Sequence, residues 1–200
     1  MTATTVPETP ARKRDAAQTR QDLLDAAREL FGAKGYDRTS LREIGERAGV
    51  DAALIARYFG NKMALYSATV EADTAGTPRI ASVADIEALL RRMLVNTDAR
   101  GLGPIVRTTI APSSELDPAL RDAARDHVQR RMALPLTETL IAAGIAPEVA
   151  ALRAELVVAM VFGVVAVRVA GALPGVADAG HDEIIATLMP AVRALCTPDD

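Results

Sequence analysis

The stretch AGVDAALIARYFGNK, residues 48–62, holds three side chains suited to gripping a polyanion: Arg57, Tyr58 and Lys62. Arg57 is the long donor of this stretch, and a guanidinium can take guanine through two hydrogen bonds or hold a phosphate. Tyr58 is amphipathic, so its ring can brace the fold while its hydroxyl bonds a phosphate. Lys62 adds charge at a helix start. Arg42 is a second candidate near the bases. Thr39 and Ser40 stand where a helix begins, and unpaired N–H groups with the positive dipole end attract phosphate there, in addition to any capping role. Between these groups lie Ala52, Ala53 and Leu54, which donate no hydrogen bonds. They can pack on thymine methyls and let the backbone come close, so they supply fit and shape readout. Asp51 is acidic where a polyanion would pass, which makes helix capping its role.

Other chemistries lack their residues. His127 and His181 stand alone, without metal-ligand spacing, and the single Cys196 sits near the end of a helix. No GxSxG, P-loop or Rossmann fingerprint occurs, so no enzyme, metal or cofactor is expected. One cysteine cannot form an internal disulfide, which fits a reducing cytoplasm. The N-terminal twenty residues lack the apolar run of a signal peptide. The most apolar stretch, LVVAMVFGVVAV, has 12 residues and is bracketed by Glu155 and Arg168. About 20 are needed to span a bilayer, so it reads as a buried helix and no membrane is expected.

The elements that must position the candidate residues are helices. Apolar positions recur at helical spacing throughout, no strand pattern or repeat appears, and an aromatic content of 3% with much Ala and Leu favours close helix packing. Residues 1–16 read as a disordered basic tail whose Arg12, Lys13 and Arg14 are either solvated or an arm toward DNA. Helix 1 is expected from Thr19, an N-cap with Asp22 three residues on, to Lys34, with Leu23, Leu24, Ala27, Leu30 and Phe31 as one stripe. Helix 2 follows from the S-x-x-E capping box of Ser40 and Glu43. Gly49 ends it, Val50 fills the angle, Asp51 caps a third helix reaching Phe59, and Asn61 caps a fourth from Lys62. Two short helices joined by a Gly-containing turn make a helix-turn-helix over 40–59. Many helical hairpins do not bind DNA, so the pattern alone leaves that open.

Charge is unevenly distributed. Residues 1–66 carry eleven Lys/Arg against nine Asp/Glu, while 67–200 carry twelve Arg, no Lys and seventeen acidic residues. A mildly basic head on an acidic body points an anionic partner toward the head.

The run TRQDLLDAARELFGAKGYDRTSLREIGERAGV, followed by YFGNKMALY, resembles the TetR family of one-component transcription regulators. The resemblance covers about a quarter of the chain. It implies an all-α homodimer: an N-terminal three-helix helix-turn-helix domain (17–77) and a larger helical ligand-binding and dimerisation domain (78–200). It also implies a double-stranded DNA operator, a small-molecule effector, and repression as the commonest role. It supports phosphate contacts by Lys62 and Tyr58. Relatives often carry Lys or another polar residue where Ala52 stands, and Tyr where Ala56 stands; this chain departs at both.

In the body, helices are expected over about 83–98, 117–143 with a kink at Pro135, 147–170, and 181–196 bent near Pro190, with a shorter apolar stretch at Ile105, Val106 and Ile110 after a break at 101–104 and a loop at 171–180. Residues 147–170 and 181–196 are expected to form the dimer seam. Ala159, Gly163, Ala166 and Ala170 would allow close approach, with Ile184, Ile185, Leu188, Val192 and Leu195 from the last helix. Met93, Ile105, His127, Met132 and Leu136 are the candidate effector-site lining. Arg91, Arg92, Arg107, Arg130 and Arg131 could meet an acidic ligand or form surface ion pairs. The alternative to a regulator is a ligand-binding or protein-interaction module without specific DNA recognition.

Overall fold

The computed structural model describes residues 10–74, 80–111 and 117–198; side chains at 10–14 and 74 lie outside the description. Among the described residues every regular element is helical. The order is α1 (Pro10–Lys34), α2 (Leu41–Ala48), α3 (Ala53–Phe59), α4 (Lys62–Thr74), α5 (Val83–Arg100), α6 (Pro104–Ile110), α7 (Pro118–Val128), α8 (Leu134–Ala142), α9 (Pro147–Ala170), α10 (Pro174–Asp178) and α11 (His181–Cys196).

The head is α1–α4. Leu23, Leu24, Ala27 and Phe31 form the buried stripe of α1, and Ile44, Ile55, Leu65 and Tyr66 close the core from the other three helices. α1 opens at Pro10, not at Thr19, so residues 10–16 are helical where a disordered tail is expected. Proline suits a first helical position, and the Ala-, Lys-, Arg- and Gln-rich run after it consists of good helix formers. Thr19 is interior and its hydroxyl donates to the Asp15 carbonyl at 2.7 Å, so it caps nothing. Residues 1–9 and the side chains of Arg12, Lys13 and Arg14 lie outside the described residues.

The body is built around α9, which packs against α5, α6, α8, α10 and α11. Asp117 caps α7 through the Ala119 amide at 2.8 Å, and Pro118 takes the first helical position, where a missing N–H costs nothing. Pro135 does not produce a plain kink. A π-helical turn at Gln129–Ala133 precedes it, and the Leu134 amide donates to the Gln129 carbonyl five residues back. The extra residue in that turn resets the register, so the proline's missing N–H falls in the first turn of α8, where no intrahelical donor is needed. Within the expected 171–180 loop, Pro174 starts the single turn α10.

α6 joins head to body by packing on both α1 and α4. The Tyr66 hydroxyl and the Thr108 hydroxyl are hydrogen-bonded at 2.7 Å. Arg107 Nε donates to the Gly32 carbonyl. Gly32 itself lies against the Leu102 carbonyl, where a β-carbon would not fit. Arg28 of α1 and Asp73 of α4 form an ion pair in which both side chains are largely buried.

Candidate nucleic-acid interface

Helix α3, which carries most of the candidate contact residues, is set by bonds local in sequence. Asp51 Oδ1 accepts the Ala53 amide at 2.8 Å, starting the helix, and Gly60 ends it with φ 88°. Asn61 Oδ1 accepts the Ala64 amide at 2.8 Å and starts α4. α2 begins with the complete capping box: Ser40 Oγ accepts the Glu43 amide at 3.1 Å, and the Ser40 amide donates to Glu43 Oε2 at 2.8 Å. Gly49 turns the chain with φ 71°. The two helices then meet at Gly45, where an added β-carbon would stand 2.9 Å from both the Ala52 nitrogen and the Val50 oxygen.

On this frame Ile55 is fully buried, Ala52 and Leu54 are partly buried, and Ala53, Ala56 and Arg57 are exposed. Leu54 therefore leans outward while Ile55 anchors, as their roughly 100° offset requires. The Arg57 guanidinium lies 5.9 Å from the Tyr58 ring centre and has no carboxylate partner among the described residues. Arg42 is exposed but engaged, its Nε donating to Glu46 Oε1 at 2.8 Å. Lys62 Nζ sits 4.3 Å from the centre of the Tyr36 ring, and partial burial draws its pKa below the usual lysine range. Ser40 is exposed at the first turn of α2, beside the Leu41 and Arg42 amides that no intrahelical carbonyl can reach.

Thr39 does not belong to this surface. It is 1% exposed, and its hydroxyl donates to the Leu30 and Gly35 carbonyls at 3.2 and 2.8 Å. Its amide donates to the Tyr36 carbonyl at 3.3 Å. Thr39 thus holds the α1–α2 corner, and its buried donors leave nothing for a phosphate. Three residues of note carry weak sequence signals. Gly45 is a helix-interior glycine, which costs about 1 kcal/mol unless packing demands it. Arg20 places its guanidinium 4.8 Å from the Phe59 ring centre at the end of α3. Arg38 is exposed two residues before the α2 cap.

Glu43 ties the surface together. Hydrogen bonds from Lys34 and from the Ser40 backbone and hydroxyl pull its carboxyl down to about 2. A depressed carboxyl stabilises the fold above its unfolded value and loses that contribution as pH falls through the folded one. The head should therefore weaken as pH drops from 4.5 toward about 2. Glu43→Gln keeps the capping geometry but removes the titrating group. Thermal midpoints across that window should fall less steeply in the variant than in the native chain; equal slopes would contradict the assignment.

The expected effector-site residues separate in space. Met93, Ile105 and Met132 line one small cavity between head and body, enclosing about 40 Å³, together with Arg28, Asp73 and Arg92. That is room for a water or two. Leu136 instead belongs to the core, 1% exposed. His127 does not line this cavity; burial, and next the Arg131 charge, lower its pKa, and its Nε2 is buried without a hydrogen-bond partner among the described residues. Of the arginines, Arg91 pairs with Asp182 and Arg130 with Asp126, while Arg107 bonds backbone.

α9 is not buried all round, contrary to its composition. Val157, Val161 and Val165 face the core, whereas Leu152, Leu156 and Ala159 are exposed and nothing lies within 4 Å of a β-carbon placed on Gly163. By length and composition alone this helix could cross a membrane, but one face is already occupied by its neighbours within the fold. On α11, Ile185 and Val192 are buried within the protomer and belong to its core rather than to the expected seam, whereas Ile184 lines an open groove with Leu188. Thr187, Ala191 and Ala194 face outward in their place.

Comparison with known proteins matches both halves. Residues 23–69 match the family described as bacterial regulatory proteins, tetR family, and residues 86–195 match a tetracycline-repressor-like C-terminal domain. The repressor AcnR of Corynebacterium glutamicum is 29% identical over 109 residues, which is 54% of this chain and 57% of that protein. A transcriptional repressor of Mycobacterium tuberculosis is 32% identical over 82 residues, 41% of this chain and 44% of that protein. The chain thus spans about half the length of the curated relatives it matches. The crystal structure of a TetR-family regulator from Streptomyces coelicolor aligns over 96% of this chain and 99% of its own, with 28% identity and a TM-score of 0.53.

Proposed function

Because the chain belongs to the TetR family of helix-turn-helix transcriptional regulators, we propose that it is a cytoplasmic repressor that binds a palindromic operator as a homodimer and is released by a small molecule. The observation that carries the DNA-reading part is Arg57. It is the exposed, uncommitted cation of a helix whose outer face is otherwise small and apolar. Arg57 takes a guanine edge or a phosphate, and Ala52, Ala53 and Leu54 fit against thymine methyls. Ser40, Tyr58 and Lys62 hold phosphates on either side. Arg42 joins them once DNA competes for its exposed pairing with Glu46, a pairing of little worth in water. Two-fold pairing of heads suits half-sites about 34–36 Å apart or a multiple of that spacing. The naming of the curated relatives as repressors supports the sign of regulation.

Arg57→Ala should weaken binding to a selected operator by about 1–3 kcal/mol, or roughly fivefold to 150-fold. Binding to random DNA should change much less. The measurement is fluorescence anisotropy at two salt concentrations, on operators obtained by random-sequence selection. An operator affinity indifferent to this change would remove Arg57 from the reading surface. Failure of the native chain to bind any DNA in a salt-dependent manner would favour the interaction-module reading instead.

A further inference from the structure

Several cations of the head are held by carboxylates: Lys34 by Glu43, Arg42 by Glu46, Arg47 by Glu29 and Arg28 by Asp73. Arg20, Arg57 and Lys62 instead lie against aromatic rings, 4.8, 5.9 and 4.3 Å from the centres of Phe59, Tyr58 and Tyr36. Arg57 and Lys62 belong to the DNA surface in the reading above. Arg20 comes from a different element, α1. Its helical neighbours three and four residues away are Ala16, Ala17, Leu23 and Leu24, so no carboxylate of α1 stands beside it. No carboxylate from another helix pairs with it among the described residues. Arg20 continues the stripe of Leu24, Ala27 and Phe31 one turn toward the start of α1. There the core ends. Arg20 is exposed, and the ring it meets is that of half-buried Phe59, the last residue of α3.

We propose that Arg20 is a phosphate contact of the DNA-binding surface, carried by α1 and aimed by the Phe59 ring. The inference rests on the DNA-binding reading above and adds a residue to it. Phe59 follows Tyr58 directly, and Lys62 opens α4 three residues later. A strand held by Tyr58 and Lys62 therefore passes the end of α3, where the Arg20 guanidinium lies. Contact with a ring fixes the plane of a guanidinium and leaves its N–H donors pointing outward along its edges. Two of those donors match two phosphate oxygens. The aliphatic stem packs along apolar surface while the charge stays in water. That charge is uncompensated, so DNA displaces no carboxylate here, unlike at Arg42, whose Nε is bonded to Glu46. Arg20 meets α3 at its last residue, away from the exposed positions Ala53, Ala56 and Arg57. It therefore grips the backbone and raises affinity for every sequence, whereas Arg57 discriminates among them.

Fluorescence anisotropy of the full native chain, Arg20→Gln and Arg20→Lys on a selected operator and on a random duplex, between about 50 and about 200 mM salt, tests this. Circular dichroism melts accompany each variant. Arg20→Gln should weaken both complexes by the same factor and leave the ratio between them unchanged. Its plot of log affinity against log salt should be shallower by about one for each bound head. Across that salt range the advantage of the native chain should shrink roughly three- to fourfold per head. Arg20→Lys keeps the charge and should keep the native slope. A native slope in Arg20→Gln overturns the assignment, whether affinity is unchanged or falls together with the melting temperature. A weakening confined to the operator overturns it too. The same titrations read the native chain alone. If it shows no salt-dependent binding, the DNA-binding reading is lost and the Arg20 contact with it. If it binds with a slope that Arg20→Gln shares, only the Arg20 contact is lost.

Discussion

Gly45→Val should abolish operator binding by collapsing the geometry of the reading head. A valine at a helix-interior glycine would ordinarily improve local helix propensity by a few tenths of a kcal/mol. Here the β-carbon would meet the Ala52 nitrogen and the Val50 oxygen at 2.9 Å and the Ala52 α-carbon at 3.0 Å. These are backbone atoms and cannot rotate aside. Relief requires α2 to move off the turn, and that strains the bond from the Val50 amide to the Gly45 carbonyl, 3.0 Å long. Overpacking of this kind costs about 1–3 kcal/mol and the branched side chain adds to it. The cost falls on the one angle that aims α3, so operator affinity should drop by roughly a hundredfold or more, beyond what a 3 kcal/mol loss of stability alone implies. Gly49→Ala is the control. Gly49 has φ 71° but open space around its β position, so only backbone strain of about 1–2 kcal/mol is expected. Circular dichroism melts and operator titrations should show Gly49→Ala folded and binding, and Gly45→Val defective. Near-native operator binding by Gly45→Val would mean the helix angle is not fixed by this contact.

What could be read from sequence follows the range of each interaction. The Ser40–Glu43 box, the Asp51 and Asn61 caps and the left-handed Gly49 span three residues or fewer, and the structure has all of them. Thr39 looks equally polar and equally well placed for phosphate. Only the fold shows that carbonyls of α1 and of the corner after it take its hydroxyl. Thr19 followed by Asp22 imitates a helix start, but the chain was already helical from Pro10. The same limit applies to the body. Met93, Ile105 and Met132 come from three elements and converge on one cavity, whereas His127 and Leu136, with the same apparent credentials, do not line it. In α9 an almost continuous apolar run conceals which face is already used. The partner helices decide that, and they are distant in sequence.

The open face of α9 yields the other large effect: Leu156→Arg should convert a dimer to monomers without unfolding the protomer. Leu152 and Leu156 are 59% and 44% exposed, four residues apart, in line with exposed Ala159 and with Gly163. A contiguous apolar stripe of this length on a soluble surface marks an interaction site. Gly163 has no β-carbon and Ala159 only a methyl group, so neither would hold a second helix far away. Burying one leucine side chain contributes about 1.5–3 kcal/mol, and a two-fold seam contains it twice. Arginine would forfeit both contributions and bring two like charges toward one axis, so the dimer dissociation constant should rise by roughly a hundredfold to ten-thousandfold. The protomer should keep its melting temperature, because the core of α9 lies on the opposite side at Val157, Val161 and Val165. Operator affinity should fall with dimerisation, since a lone head makes only half of the phosphate and base contacts. Sedimentation velocity across a concentration series reads the first effect and anisotropy the second. A native chain that sediments as a monomer, or a Leu156→Arg variant that remains a dimer, would place the seam elsewhere.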